Sequence, residues 1–368
     1  MSKVVPFRSV LIFGGAGFIG SNWAYCLLKN TDSRVHIFDN LSRAGVRENL
    51  AWLQRTIGKS GRLRTTIGDV RDPVLVDQAV GGATEIYHFA AQVAVTSSVD
   101  DPRLDYEVNV GGTINVLEAA RKTGRRPFLL FTSTNKVYGH LAPQGLVAKA
   151  KRYTSSDGRG TNELQPLDFY SPYGCSKGAA DQYVHDYSRM FGLPTVVFRM
   201  SCIAGPHQFG NEDQGWVAHF LYSALQNRPV TIYGDGRQVR DVLHVEDLLR
   251  AFEAARLHLE KTAGEVYNVG GGIENSTSLL EIIDEIEEVA GSRLRYRMES
   301  CRPGDQLFYV TDYRKFQQHT GWRPRSNVRA TLESICDWWK QNRRLFPEPV
   351  APVEIATAGL QEVPGTAS

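Results

Sequence analysis

No two cysteines of this chain stand at CxxC spacing, and no long stretch carries charge of one sign. The five cysteines, Cys26, Cys175, Cys202, Cys301 and Cys336, are odd in number and scattered. They read as reduced thiols of a cytoplasmic protein, which argues against a disulfide framework and against a zinc site. Lysine and arginine number 42 against 40 acidic residues, a net charge of +2. A nucleic-acid surface or a membrane patch is therefore not expected. The N-terminus lacks the charged-then-apolar layout of a signal peptide, and no apolar run reaches the length of a membrane span. Internal repeats are absent as well. What remains is 368 residues, 42% hydrophobic and 22% charged, ordinary proportions for a globular enzyme with a large core.

The first half alternates strands and helices. Ser9–Phe13 (SVLIF) is an apolar run suited to a buried parallel strand. It leads into Gly14-Gly15-Ala16-Gly17-Phe18-Ile19-Gly20, and Asn22–Lys29 follows as a helix. Glycines at 14, 17 and 20 permit a tight turn, approach of a pyrophosphate and packing of helix on strand. The helix start offers free N–H groups to phosphates. A second strand, Val35–Phe38, ends at Asp39, nineteen residues past Gly20. A carboxylate there accepts from an adenosine ribose 2′-OH and repels a 2′-phosphate, which favours NAD over NADP; Arg43, close by, weakens the preference. The third strand, Leu63–Ile67, leads to Asp69, placed either to face the adenine or to cap the next helix. The fourth, Ile86–Phe89, ends in Ala90-Ala91-Gln92, where small residues let a nicotinamide come close. Val110–Lys122 reads as a helix and Phe128–Phe131 as the fifth strand. The alternation predicts an α/β, Rossmann-type, doubly wound parallel sheet with ligands at the carboxyl ends of its strands.

The fifth strand delivers Thr132-Ser133-Thr134 to that edge, where a hydroxyl could bond a sugar hydroxyl and share its proton with a base. Tyr173 and Lys177 are four apart, hence on one face of a helix. Bringing a phenol from a pKa of about 10 to about 7 takes roughly 4 kcal/mol of differential stabilisation. A neighbouring ammonium can supply part of it.

With the glycine-rich loop, Asp39, the hydroxyls and YxxxK in this order, the chain resembles the extended short-chain dehydrogenase/reductases. Within them it is similar to nucleotide-sugar epimerases and dehydratases, over roughly Arg8 to Arg344. Three runs carry the likeness: FTSTNKVYG (Phe131–Gly139), SPYGCSKGAADQYVHDY (Ser171–Tyr187) and QFGNEDQGWVAHF (Gln208–Phe220). The resemblance implies a catalytic trio of Thr134, Tyr173 and Lys177. It implies NAD contacts at Gly14, Gly17, Phe18, Ile19, Gly20, Asp39, Asn40, Ser42, Arg43, Asp69, Val70, Phe89, Ala90, Ala91 and Gln92, together with Tyr173 and Lys177. Sugar-nucleotide contacts are implied at Thr134, Asn135, Lys136, Ser201, Gln214, Trp216, Val217, Arg240 and Arg302. Trp216 walls the base or fills core, and Lys136 touches the substrate or lines the rim. The His244 side chain reads as structural.

The resemblance implies inversion at C2 of a CDP-hexose by transient oxidation to a ketone and re-reduction; residue spacing does not by itself show which carbon is oxidised. A UDP-hexose 4-epimerase is the alternative with the same trio. A non-catalytic NAD-binding regulator is disfavoured by the intact trio. The dehydratases of the family carry an Asp-Glu pair directly after the catalytic Thr, where this chain has Asn135 and Lys136, so dehydration is not expected. A homodimer or homotetramer is implied, pairing through the helices at Val110–Lys122 and Ser176–Phe191.

The expected organisation follows from these elements. Residues 8–200 are mainly the NAD-binding domain, with the irregular stretch 139–167 as a lid. Residues 201–345 form mainly a smaller substrate-binding cap, with 241–270 returning to the first domain. The Pro-, Ala- and Glu-rich residues 346–368 are expected to be a disordered tail.

Overall fold

In a computed structural model of the chain, residues 8–346 are described, except 142–144, 156–157 and 303. The strands are β1 (Ser9–Phe13), β2 (Arg34–Asp39), β3 (Leu63–Ile67), β4 (Glu85–His88), β5 (Phe128–Thr134), β6 (Leu146–Ala148), β7 (Tyr153–Ser155), β8 (Thr195–Met200), β9 (Cys202–Ala204), β10 (Val230–Tyr233), β11 (Val239–His244), β12 (Glu265–Val269), β13 (Ser276–Ser278), β14 (Tyr296–Glu299) and β15 (Phe308–Tyr309). Seven of them form one sheet in the order β12-β8-β5-β4-β1-β2-β3, every neighbouring pair parallel. β4 and β5 are buried along their whole length and β1 along all but its first residue; β1 and β5 accordingly read as unbroken apolar or small-residue runs, whereas β4 has Glu85 and His88 at its two ends. The chain winds outward from β1 to β3, then restarts at β4 on the other side. The reversal opens a crevice at the carboxyl ends of β1 and β4.

Helices α1 (Phe18–Asn30), α2 (Val46–Ile57), α3 (Pro73–Val80), α4 (Val95–Asp100), α5 (Pro102–Tyr106), α6 (Gly112–Lys122) and α7 (Pro172–Phe191) cover the sheet. Two cores form, one on each face: Trp23, Tyr87, Phe198 and Phe252 belong to one, Phe13, Phe38, Phe131 and Val184 to the other. A second lobe packs α8 (Trp216–Leu225) and helices Leu279–Ala290 and Val328–Gln341 around Leu221, Ile286 and Trp338. Its strands β9, β13 and β15 pair with β11, and β10 pairs with β14. Helix α9 (Val245–Leu257) then packs into the core beside α1, and β12 becomes an edge of the large sheet.

Several boundaries differ from the sequence expectation. Asp72, not Asp69, caps α3, accepting from the Val74 and Leu75 amides, and Pro73 fills the first helical position. The helix expected from Val110 starts at Gly112, after a π turn over Glu107–Gly111. The YxxxK helix starts at Pro172, capped by the Ser171 hydroxyl on the Gly174 amide at 3.0 Å. Within 139–167, β6 and β7 form an antiparallel hairpin. It is tied to the second lobe by Tyr153 N–H on the Arg237 carbonyl (3.0 Å) and the Ser278 hydroxyl on the Lys151 carbonyl (2.7 Å). The tail expectation falls outside the described residues apart from Phe346, which packs on Phe209 and Tyr222.

Candidate active site

The strand-to-helix turn after β1 has no side-chain cap at Gly17, so α1 starts without a side-chain acceptor for its first N–H groups. A Cβ at Gly14 (φ 73°) would meet the Ala90 nitrogen at 2.7 Å, and one at Gly20 would meet the Gly14 carbonyl at 2.3 Å. Only glycine lets the loops after β1 and β4 approach this closely. Asp39 lies at the end of β2, its carboxylate accepting from the Ala16 amide at 3.0 Å and the Leu41 amide at 2.9 Å. Burial pushes its pKa up and these amides oppose the shift. The carboxylate thus holds the glycine loop, with lone pairs left over for a ribose hydroxyl.

Asp69 sits beside Asp39 across the strand ends, paired with Arg71 at 2.9 Å and accepting from Asn40 at 3.3 Å. That pairing with Arg71 holds its carboxyl below the usual range. Asn40 also accepts from the Ser42 amide at 3.1 Å. Phe18, Ile19 and Phe89 are half-buried against the core, and Val70 is buried against Gly112. Ala90, Ala91 and Gln92 line the crevice as half-buried backbone.

Thr134, at the last position of β5, lies beside the Tyr173 phenol, and its hydroxyl accepts from the Lys136 amide at 3.2 Å. Thr134 and Tyr173 are both buried, at 9% and 8% exposure. Burial pushes the Tyr173 phenol up to about 12; the Thr134 contact and the nearby Arg43 guanidinium oppose the rise. The Lys177 ammonium, 3% exposed, donates to the Thr132 carbonyl at 2.7 Å and lies 4.0 Å from the centre of the Phe131 ring. Burial lowers it to about 7, partly offset by Asp181 and Asp105. Lys177 stands one turn from Tyr173 with its ammonium on the Thr132 carbonyl, and the Arg43 guanidinium is a second cation that favours the phenolate.

On the substrate side, Asn135 and Lys136 follow Thr134 in a short 3₁₀ turn. Lys136 reaches Asp305 at 3.5 Å, and the same carboxylate oxygen accepts from Arg240 at 2.7 Å. Arg302 stacks 3.8 Å over the Tyr233 ring and pairs with Glu212 (3.4 Å) and Asp213 (3.5 Å). Gln214 accepts from Arg43 across the cleft, and Asp213 accepts from Thr96 at 2.9 Å. Trp216 donates to the Cys202 sulfur at 3.2 Å. Two expected contacts are turned elsewhere: the Val217 side chain fills the second-lobe core, and the Ser201 hydroxyl is given to the Asp241 carbonyl at 2.8 Å.

Sequence reading missed Asp105, Asn109 and Ser176, which form a buried polar cluster behind Tyr173 and Lys177. Asn109 donates to Asp105 (3.1 Å), to Ser176 (2.9 Å) and to the Gln92 carbonyl (3.1 Å), and it accepts from the Gln92 amide (2.9 Å). The usable signal was two polar residues four apart just ahead of an apolar helix. Among the described residues no group of acidic, His and Cys side chains could hold a metal ion, and no helix is long and apolar enough to cross a membrane.

Known proteins resemble this chain in sequence and fold. A family profile described as GDP-mannose 4,6 dehydratase matches residues 11–335. CDP-paratose 2-epimerase of Salmonella typhi is 42% identical over 338 residues, covering 89% of this chain and 98% of that one. The UDP-glucose 4-epimerase of Thermotoga maritima, solved with UDP-glucose, superposes with a TM-score of 0.77 at 28% identity, covering 91% and 100% of the two chains. A double mutant of DesIV, a dTDP-glucose 4,6-dehydratase of Streptomyces venezuelae, solved with NAD, gives a TM-score of 0.78 at 30% identity, covering 91% and 98%. The chain therefore belongs to the GDP-mannose 4,6-dehydratase type of extended short-chain dehydrogenase/reductases.

Proposed function

We propose that this protein is an NAD-dependent nucleotide-sugar epimerase that inverts C2 of a CDP-hexose. The observation that carries the reading is Thr134 beside Tyr173, both buried, with Lys177 one turn on and Asn135-Lys136 in place of acidic residues. The 42% identity to a CDP-paratose 2-epimerase supports the choice of carbon and base.

The crevice suits NAD: an uncapped helix start for the diphosphate, Asp39 for the adenosine ribose, and a loop of Phe89 to Gln92 for the nicotinamide side. When bound, NAD supplies the hydride acceptor and then the donor, and it is regenerated in each cycle. Tyr173 takes the proton of the sugar hydroxyl and later returns it to the same oxygen, inversion at carbon following from the planar ketone presenting its other face to the cofactor. Thr134 hydrogen-bonds the oxygen as it gains charge. Arg240, with Lys136 beside it, holds the diphosphate while the sugar ketone turns over. No proton leaves the site over a full cycle, which suits a base enclosed to 8% exposure.

A second copy of the chain fits the outer side of α7 and the helices before it, where Tyr106, Tyr183, Met190 and Phe191 are exposed. A homodimer or homotetramer working in the cytoplasm is part of this reading. Proton NMR of the purified protein with CDP-, UDP- and dTDP-hexoses, no NAD added, tests it. A changed ring coupling at C2 of a CDP-sugar is expected. A change at C4 of a UDP-sugar would replace this reading with a 4-epimerase.

A further inference from the structure

We infer that the turn Asn211–Gln214 is a latch across the mouth of the cofactor crevice, which sets the rate at which NAD enters and leaves. The inference rests on the NAD dependence proposed above. The chain just before the turn is a root fixed to the first domain. The Pro206 carbonyl accepts from Asn22 on α1 at 3.0 Å, and the His207 carbonyl accepts from Asn49 on α2 at 3.1 Å. His207, held at φ 69°, has its ring centre 3.8 Å from that of Trp52 on α2 and 5.1 Å from that of Trp338. Phe209 covers Gly45, where a Cβ would fall 2.1 Å from its ring.

The turn itself is built differently. Its four residues are all exposed, and it is closed on itself. The Asn211 side chain accepts from the Asp213 and Gln214 amides at 3.0 and 2.9 Å, and the Asn211 amide donates to the Gln214 carbonyl at 2.9 Å. Glycines flank it at 210 and 215, the second at φ 74°, and a Cβ on Gly210 would meet the Gly215 carbonyl at 2.5 Å. A closed turn between two glycines can swing as one piece.

Two bonds hold the turn to the first domain. Gln214 accepts from Arg43, in the loop after β2, and Asp213 accepts at 2.9 Å from Thr96 of α4, which follows β4. β2 and β4 flank β1 on opposite sides, so the two bonds straddle the glycine loop on which the NAD diphosphate would sit. On its other side the turn meets the second lobe: Glu212 accepts from the Tyr233 hydroxyl at 2.6 Å, and Arg302 pairs with Glu212 and Asp213. All these anchors are polar bonds at the surface, so the turn opens at far less cost than the aromatic root.

The test is exchange of the cofactor. The full-length protein is loaded with radiolabelled NAD and diluted into excess unlabelled NAD, and the label retained is followed for the unaltered chain and for Thr96→Val. Release should be faster in the variant by about fivefold, the effect of one hydrogen bond. A latch acts on passage, so the association rate should rise with release and Kd should stay within about twofold. If Thr96→Val does not fold, Asp213→Ala removes the same bond from the exposed side and is read the same way. An unchanged release rate would overturn the inference. Faster release with an unchanged association rate would also overturn it, making Thr96 a direct cofactor contact. Exchange needs no turnover. A chain that exchanges NAD as expected but epimerises no nucleotide sugar counts against the proposed reaction alone, and an active chain whose exchange ignores the substitution counts against the latch alone.

Discussion

Asp305 offers one carboxylate oxygen to two cations, Arg240 at 2.7 Å and Lys136 at 3.5 Å. Burial and the adjacent Arg240 lower the Lys136 ammonium to about 8, while both cations hold Asp305 below the usual carboxylate range against the effect of its burial. Lys136 is therefore charged below about pH 8 and neutral above it. If it helps hold the diphosphate, KM for the nucleotide sugar rises as pH climbs through that value. A charge-assisted hydrogen bond contributes about 1.5–3 kcal/mol, so the rise should reach about tenfold or more. Lys136→Arg stays charged and should flatten the profile; initial rates from pH 6.5 to 9.5, about the range in which the two forms exchange, decide it.

Replacing Tyr173 by Phe removes the proton acceptor and leaves the ring. Turnover should fall by about 10²–10⁴-fold, the usual contribution of a positioned acid–base group. Cofactor retained through purification, measured after denaturation, should be unchanged. Turnover within a few-fold of normal would remove Tyr173 from the chemistry.

Arg240 is 8% exposed and donates to its own neighbour's carbonyl, Val239, at 2.7 Å as well as to Asp305. In the function proposed above its planar fork holds paired phosphate oxygens, which a lysine cannot match. Arg240→Lys should raise KM by at least about tenfold with kcat nearly intact, because uniform binding is lost and not transition-state binding. Equal loss in kcat and kcat/KM would contradict a diphosphate role.

Water elimination needs a carboxylic acid and a carboxylate beside the sugar, and Asn135 and Lys136 provide neither. Product recovered from any accepted sugar nucleotide should have the mass of its substrate. A product lighter by one water would mean that other residues supply the acid and base.

Asp39 clasps the Ala16 and Leu41 amides, and in the function proposed above it also accepts from the adenosine ribose. Asp39→Ala should lower NAD retention and also stability, by about 1–3 kcal/mol, since two buried amides lose their acceptor. A thermal melt taken with and without added NAD separates the two losses. An unshifted melt would mean the glycine loop stands without this clasp.

Period and punctuation were enough to read the parallel sheet, the glycine loop and the Tyr173–Lys177 pair. Each depends on neighbours in sequence: apolar runs make buried strands, glycines make the turn, and spacing of four puts two side chains on one helix face. Departures at Asp72 and at the π turn are local matters in which two capping residues, or two helix starts, compete within a few positions. What tertiary structure alone decided is which charges meet. Arg43 and Asp305 are far in sequence from Tyr173 and Arg240, and only the folded crevice brings them close. Burial then sets their protonation, because the energy of a charge depends on its surroundings in space and not on its place in the chain. Sequence determined the chemical groups; folding determined which of them are charged and which of them act together.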